Sequence, residues 1–344
     1  MAEVAVTYPL PGRGLERLRG RHCVRVHPDG ATVAGADLAA FVGGADALVP
    51  LISNRVDASV FELCGTLRVV ANVGVGFNNI DLDAARRAGV WVTNTPDVLT
   101  EATADLTWAL ILAVTRRVVE GDALLRRGEF DGWRPDFMLG AGLQGRTLGI
   151  LGLGRIGKAV ARRAAAFGMR VTAHDPHAGE VPAGVEAIDA LEALLARADV
   201  LSVHVPLTPD TRRLLDDRRL RLLPHGAYVV NTSRGEVLDE RALVEALESG
   251  HLAGAALDVY EREPEVHPGL LGRRDVVLLP HLGSATVETR TAMADLAVAN
   301  CLAVLAGEIP PTPVVDPRES DASRPWTGST ASGSGARGQG SGRG

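Results

Sequence analysis

Thr147-Leu148-Gly149-Ile150-Leu151-Gly152-Leu153-Gly154-Arg155-Ile156-Gly157-Lys158 reads as a short apolar strand running into a glycine-rich turn and then a helix. That succession suits a dinucleotide pyrophosphate. Gly152 permits the tight turn, Gly154 lets the backbone approach phosphates where a Cβ would collide, and Gly157 lets the helix pack closely on its strand. The helix N-terminus offers free N–H groups and the positive end of its dipole to the anion. In a chain holding 39 glycines the spacing alone is weak, and its setting strengthens it. Ile156, Ala159, Val160, Ala164 and Phe167 recur at helical spacing, and Arg170 to His174 reads as a second strand ending at Asp175. Asp175 follows Gly157 by 18 residues, near the roughly 20 at which a carboxylate meets the adenosine ribose hydroxyls. This favours NAD over NADP, since a 2′-phosphate would be repelled and Pro176 to Glu180 offers no Arg or Lys as counter-charge. The alternative is that Asp175 merely caps a turn before Pro176.

Outward from this stretch, 344 residues with 46% hydrophobic content suit a globular protein of two domains. The apolar stretches around Leu106 to Val119 and Ala292 to Leu305 are interrupted by polar residues and too short to span a bilayer. A formal charge of −6 and the lack of basic clusters argue against nucleic acid as a partner. Cys23, Cys64 and Cys301 lack metal-type spacing, so no metal site is expected, and they fit reduced thiols in a cytoplasmic protein without a signal segment.

Strands are expected at Val4 to Val6, Ala47 to Pro50, Leu67 to Ala71 and Val90 to Val92, with helical segments at Leu38 to Val42 and Ala58 to Leu63 between them. The alternation indicates an α/β unit with a parallel sheet. One long helix is expected from about Thr100 to Arg127. A Gly- and Pro-containing connection through Trp133 and Pro135 follows, and reads as a crossing between domains. Further strands at Val200 to His204, Ala227 to Asn231, Ala255 to Val259 and Val276 to Leu279 continue a doubly wound sheet. A helix from Glu288 to Leu305 would return the chain to the first domain. From Asp316 to residue 344, Gly, Ser, Arg, Thr and Ala dominate and a disordered tail is expected.

Three polar residues stand at or just past strand ends, where open α/β sheets bind ligands: Arg234 in Asn231-Thr232-Ser233-Arg234-Gly235, Glu263 before Pro264, and His281 in Pro280-His281-Leu282-Gly283. Reducing a ketone with a nicotinamide requires hydride at carbon and a proton at oxygen. Histidine titrates nearest neutrality and suits the proton transfer. A Glu on its other ring nitrogen would fix the tautomer and favour imidazolium. An Arg fork would hold the substrate carboxylate and polarise its carbonyl. Together they specify a 2-oxo acid. Taken singly, each has a bland alternative as a turn residue, a solvated acid or a strand-end histidine.

With these residues in view, the sequence resembles the D-2-hydroxyacid dehydrogenase family, most closely its glyoxylate/hydroxypyruvate reductase branch. The likeness runs from about Val4 to Val315 and rests on Asn78-Asn79-Ile80-Asp81, Asn94-Thr95-Pro96-Asp97, the Gly152 to Gly157 loop, His204-Val205-Pro206-Leu207-Thr208 and the three motifs above. The resemblance implies two doubly wound parallel-sheet α/β domains, a Rossmann coenzyme domain (residues 99–287) inserted in a flavodoxin-like substrate domain (1–98 and 288–315). It places substrate binding on Arg234, pairing with histidine on Glu263 and acid/base chemistry on His281. Leu51, Val75 and Gly76 would hold the substrate carboxylate. Gly152, Leu153, Gly154, Arg155, Ile156, Gly157, Asp175, Val205, Pro206, Thr211, Thr232, Ser233, Arg234, Asp258 and Gly283 would line the cofactor, with Asp258 near the carboxamide and Thr103 as a further candidate. Trp133 resembles a tryptophan that reaches from a partner subunit into the neighbouring site, and a homodimer is expected. Glu263 separates the chain from formate dehydrogenases, Val75 from phosphite dehydrogenases, and the tail from phosphoglycerate dehydrogenases that carry a regulatory domain. NADPH-preferring reductases have an arginine after the position of Asp175, and it is missing here. A second reading within the family is an NAD-responsive binding protein of the corepressor kind.

Overall fold

In the computed structural model, which describes residues 1–319, short apolar runs build a first sheet. Its parallel strands are β1 (Glu3–Val6), β2 (Cys23–Val26), β3 (Ala47–Val49), β4 (Val69–Ala71) and β5 (Trp91–Thr93). They lie in the order β2-β1-β3-β4-β5, that of a flavodoxin-like sheet. Successive strand residues face opposite sides. Ala5, Leu48, Val70 and Val92 therefore share one core with Leu38, Val60 and Ala85, which come from α2 (Gly35–Val42), α3 (Ala58–Leu63) and α4 (Leu82–Arg87). Val4, Val6, Val49, Val69 and Ala71 share the other with Leu18 of α1 (Gly14–Arg19). Asp57 and Asp81 cap α3 and α4 by accepting from the N–H groups of Ser59 and Ala84.

Two helices follow, α5 (Thr100–Thr115) and α6 (Val118–Arg126). A single helix over this stretch was the expectation. The break falls at Arg116 and Arg117, and Arg117 takes the left-handed conformation (φ 54°). The cause is distant in sequence. The Thr115 carbonyl, which the next helical turn would need, accepts from the Ala141 N–H at 2.8 Å, and Gly140 lies so close to that carbonyl that a Cβ would overlap it.

The second sheet contains β6 (Thr147–Leu151), β7 (Arg170–His174), β8 (Val185–Ala187), β9 (Val200–Val203), β10 (Ala227–Asn231), β11 (Leu252–Leu257) and β12 (Val276–Leu278). All pairings are parallel, in the order β8-β7-β6-β9-β10-β11-β12. The winding reverses between β6 and β9, the place where such sheets open a crevice. β6 is buried throughout: Leu148 and Ile150 enter one core and Leu151 the other, each burial contributing roughly 1.5–3 kcal/mol. The crossovers carry α7 (Arg155–Ala164), α8 (Leu191–Leu195), α9 (Asp217–Leu220), α10 (Glu240–Glu248) and α11 (Pro268–Leu271).

α5 already packs on β10, β11, β12 and α7, with Trp108 stacked on Phe167 at 4.3 Å and donating to the Val160 carbonyl. The chain thus passes from the first sheet to the second at residues 94–99. The connection through Trp133 and Pro135, expected as the crossing, leaves the second sheet and returns to it. α12 (Val287–Leu305) comes back to β3, β4 and β5 through Ala294, Ala297, Val298, Cys301 and Val304. It ends in β13 (Pro313–Val315), antiparallel to β5 and not anticipated from sequence. Of the expected disordered tail, residues 316–319 are described, with the Arg318 guanidinium 4.7 Å from the Trp91 ring centroid; the remainder lies outside the described residues. Among the described residues no helix is long and apolar enough to cross a membrane.

Candidate active site

The glycine-rich turn has the geometry its residues require. Gly152 sits at φ 95° against the next strand's exit, where a Cβ would come within 2.8 Å of the His204 carbonyl and the Val205 nitrogen. At Gly157 a Cβ would overlap the Gly152 carbonyl. At Gly154, by contrast, a Cβ would meet no protein atom within 4 Å, so its bare face opens outward. No side chain caps the start of α7, leaving its first N–H groups and dipole for an anion. A pyrophosphate fits this cradle. Leu153 is buried and Ile156 packs on the core, whereas the Arg155 guanidinium pairs with Asp97.

Asp175 ties two segments together. One carboxylate oxygen accepts from the His177 N–H at 2.8 Å, closing the turn after β7, and the other accepts from the Leu153 N–H of the glycine loop at 2.8 Å. Thr211 is engaged in its own turn, donating to the Pro206 carbonyl at 2.6 Å and accepting from the Thr208 N–H at 2.8 Å. His204, beneath the loop, bonds Ser202 at 2.8 Å. Burial pushes its pKa down to about 3, so it is neutral.

Arg234 follows β10 on a turn tied by Asn231, whose Oδ1 accepts from the Ser233 N–H and hydroxyl and whose Nδ2 donates to the Arg234 carbonyl at 2.9 Å. Its side chain reaches the loop after β4, donating from Nε to Asn78 Oδ1 at 2.9 Å, while Nη1 donates to the Ser233 carbonyl of its own turn. It lies over Gly76 so closely that any Cβ there would overlap the guanidinium. Burial lowers the Arg234 pKa, against the opposing charges of Glu263 and Glu236. Gly235 is pressed on the Tyr260 backbone, setting the arginine turn against the segment that carries Glu263.

Glu263 Oε2 lies 2.9 Å from His281 Nδ1, and Oε1 accepts from the Tyr260 N–H at 3.1 Å. Burial acts to raise the Glu263 pKa, but the His281 hydrogen bond and charge, the Tyr260 N–H and Arg234 together hold it below the usual carboxylate range. His281 sits at φ 54°, unusual for a residue with a Cβ and worth about 1–3 kcal/mol of strain. Asp258 holds this bend. Its carbonyl accepts from the His281 N–H, and its buried carboxylate accepts from the Leu282 and Gly283 N–H groups at 2.6 and 2.8 Å. Burial raises its pKa against those two donors. Thr103 closes the loop from α5 by donating to the Gly283 carbonyl at 3.0 Å, while Thr107 and Thr232 share a hydrogen bond at 2.9 Å.

Across the cleft, Leu51 bridges to Val73 and leads to Val75 and Gly76. Asn94 donates to the Val75 carbonyl and Asn72 to the Gly76 carbonyl, both at 2.8 Å. The structure thus pairs Glu263 with His281 and brings Arg234, whose charge acts on Glu263, onto Gly76 and Asn78 of the 74–78 loop. It leaves Trp133 apart and 81% exposed on the connection after α6. Sequence reasoning gave no role to Asn72, Asn78, Asn94, Asn231 or Tyr260. Asn78, Asn94 and Asn231 stand in quoted motifs, which is their only signal in the sequence. Among the described residues no cluster of three or more His, Cys, Asp or Glu could hold a metal ion.

Residues 108–283 match the NAD binding domain of the D-isomer specific 2-hydroxyacid dehydrogenases. A glyoxylate reductase of Thermococcus kodakarensis is 45% identical over 318 residues, covering 90% of this chain and 95% of the relative. A crystal structure of a Thermus thermophilus protein superposes with a TM-score of 0.86 at 50% identity, covering 91% of this chain and all of that one. An NADPH-dependent glyoxylate/hydroxypyruvate reductase of Sinorhizobium meliloti, solved with NADP and malonate, superposes with a TM-score of 0.82 at 35% identity, covering 92% and 97%. With this agreement over both sheets, the chain belongs to the D-isomer-specific 2-hydroxyacid dehydrogenases, a family of NAD(P)-dependent oxidoreductases.

Proposed function

We propose that this chain reduces a short 2-oxo acid of the glyoxylate or hydroxypyruvate kind to the D-2-hydroxy acid, with NADH preferred to NADPH. The observations that carry this reading are the Glu263–His281 pair at 2.9 Å and the Arg234 guanidinium, whose charge acts on Glu263 and which lies over Gly76. Gly152 to Gly157, Asp175, Val205, Pro206, Thr232 to Arg234, Gly283 and Thr103 would hold the dinucleotide, whose nicotinamide supplies the hydride when bound. Thr211 and Asp258 would act through the turns they fix. The two sheets and their helices serve as coenzyme domain (99–287) and substrate domain (1–98 with 288–315).

The chain's own side chains handle charge and the proton. With Nδ1 turned to Glu263, Nε2 is the ring nitrogen left to give a proton to the substrate oxygen, and to take it back in oxidation. Glu263, ionised at neutral pH, steadies the imidazolium. Arg234 polarises the carbonyl and stabilises the developing alkoxide. The N–H groups of Val75 and Gly76, with Leu51 beside them, receive the substrate carboxylate. Asp175 supports the preference for NAD, since a carboxylate just past β7 and tied to the glycine loop would repel the 2′-phosphate of NADP. A homodimer is supported by exposed Val118, Val119 and Leu125 on α6 and Phe130, Trp133 and Leu139 after it, an apolar face that a second copy would cover with Trp133 at its neighbour's cleft.

Steady-state assays of glyoxylate, hydroxypyruvate and pyruvate with NADH and NADPH test the proposal. The expected outcome is highest kcat/KM for one of the first two, and at least a tenfold preference for NADH. No turnover of any short 2-oxo acid would refute the reaction, and a preference for NADPH would refute the role given to Asp175.

A further inference from the structure

We infer that Asn94 is a positioning residue that aims the substrate-carboxylate receptor, an inference that rests on the function proposed above. In a trans peptide the C=O and N–H point in opposite directions, so whatever holds a carbonyl also aims the next N–H. Each carbonyl of the loop 74–76 is held from the protein side: Gly74 by the Thr95 N–H at 2.9 Å, Val75 by Asn94 Nδ2 at 2.8 Å, and Gly76 by Asn72 Nδ2 at 2.8 Å. The first tether thereby turns the Val75 N–H the other way and the second the Gly76 N–H, while Asn72 fixes the peptide plane that follows; among the described residues neither N–H has a protein acceptor. Arg234 lies over the Cα of Gly76 on the same stretch. Two N–H groups and a guanidinium thus form a small anion receptor.

The asparagines are anchored in turn. The Asn94 N–H donates to the Thr312 carbonyl, and its own carbonyl accepts from Thr312 Oγ1 at 2.6 Å and Asn300 Nδ2 at 3.2 Å. Asn72 is fully buried, and its Oδ1 accepts from Asn79 Nδ2, which also donates to the Asn54 and Leu51 carbonyls. Asn54 Oδ1 then accepts from the Leu51 N–H at 2.9 Å. α12 and the segment before β13 therefore brace one side of the receptor, and the network through Asn79 and Asn54 braces the other. An amide is needed at position 94 because only a donor can hold a carbonyl. A carboxylate of the same shape would repel it and release the peptide.

The test is Asn94→Asp in the full chain, with oxamate, an unreactive carboxylate, as the probe on NADH-saturated protein. Calorimetry is expected to give an oxamate Kd raised at least tenfold. The glyoxylate KM should rise by a similar factor, kcat should fall less, and the NADH Kd should stay within twofold. Asn94→Ser, which shortens the tether without adding charge, gives the same readings if the aspartate variant does not fold. Unchanged oxamate affinity in a folded variant would overturn the inference, as would NADH affinity falling in parallel. If wild type binds oxamate and loses it in the variant yet reduces no 2-oxo acid, the proposed reaction fails while the positioning role stands.

Discussion

The glycine loop before α7 and the loop at 74–76 both leave backbone N–H groups without protein acceptors among the described residues, but they are built in opposite ways. The Gly152–Gly157 loop is local: its donors belong to the first turn of α7, aligned by the helix itself and needing no side-chain cap. The Gly74–Gly76 loop has no helix behind it, and its peptide planes are held by Thr95, Asn94 and Asn72 through contacts that extend to α12. Helical donors are thus aimed by a motif readable in one stretch, whereas tethered donors are aimed by residues scattered along the chain.

Glycine substitutions break the comparison most sharply. Gly76 and Gly154 both lack a positive φ, so alanine is tolerated by either backbone. A methyl at Gly76 displaces the Arg234 guanidinium, and Gly76→Ala is expected to lower kcat/KM for the 2-oxo acid by about 10²–10³-fold, the effect of losing one preorganised oxyanion donor. Gly154→Ala meets no protein atom within 4 Å. Its folding stability should stay within about 0.5 kcal/mol while NADH, titrated by fluorescence, binds about tenfold more weakly, because the methyl occupies the phosphates' approach. Equal losses of NADH affinity in the two variants would erase the distinction.

A smaller effect sharpens the chemistry between the two loops. Glu263 is held below the usual carboxylate range by its partners, so as pH falls it keeps its charge against Nδ1 of His281 until below that range. Glu263→Gln removes the charge and keeps a hydrogen-bonding group, and kcat for reduction should fall about fivefold with the NADH Kd within twofold of wild type. An unchanged kcat would contradict the pairing.

Legibility in the sequence follows the same division. The strand, turn and helix at 147–158 are set by neighbours within a few positions and are present as β6, the glycine turn and α7, while Asp175, Arg234 and His281 stand just past the ends of β7, β10 and β12. The break between α5 and α6 depends on Ala141 returning to Thr115. The antiparallel β13 depends on the free edge of β5, and the link from Asn78 to Arg234 spans 156 positions. No local periodicity encodes such pairings. Asp258 shows a middle case: the resemblance places it near the carboxamide, and its carboxylate accepts from the Leu282 and Gly283 N–H groups in shaping the His281 bend, a contact no local pattern encodes.

The central claim is that His281, oriented by Glu263, moves the proton in reduction of a 2-oxo acid held by Arg234 and the 74–76 backbone. The most direct measurement is glyoxylate reduction with NADH by wild type and His281→Ala, with the NADH Kd of each measured in parallel. The account predicts wild-type turnover, a loss of about 10²–10⁴-fold in kcat in the variant, and an unchanged NADH affinity. Residual turnover equal in the two proteins, or none in wild type, would contradict it.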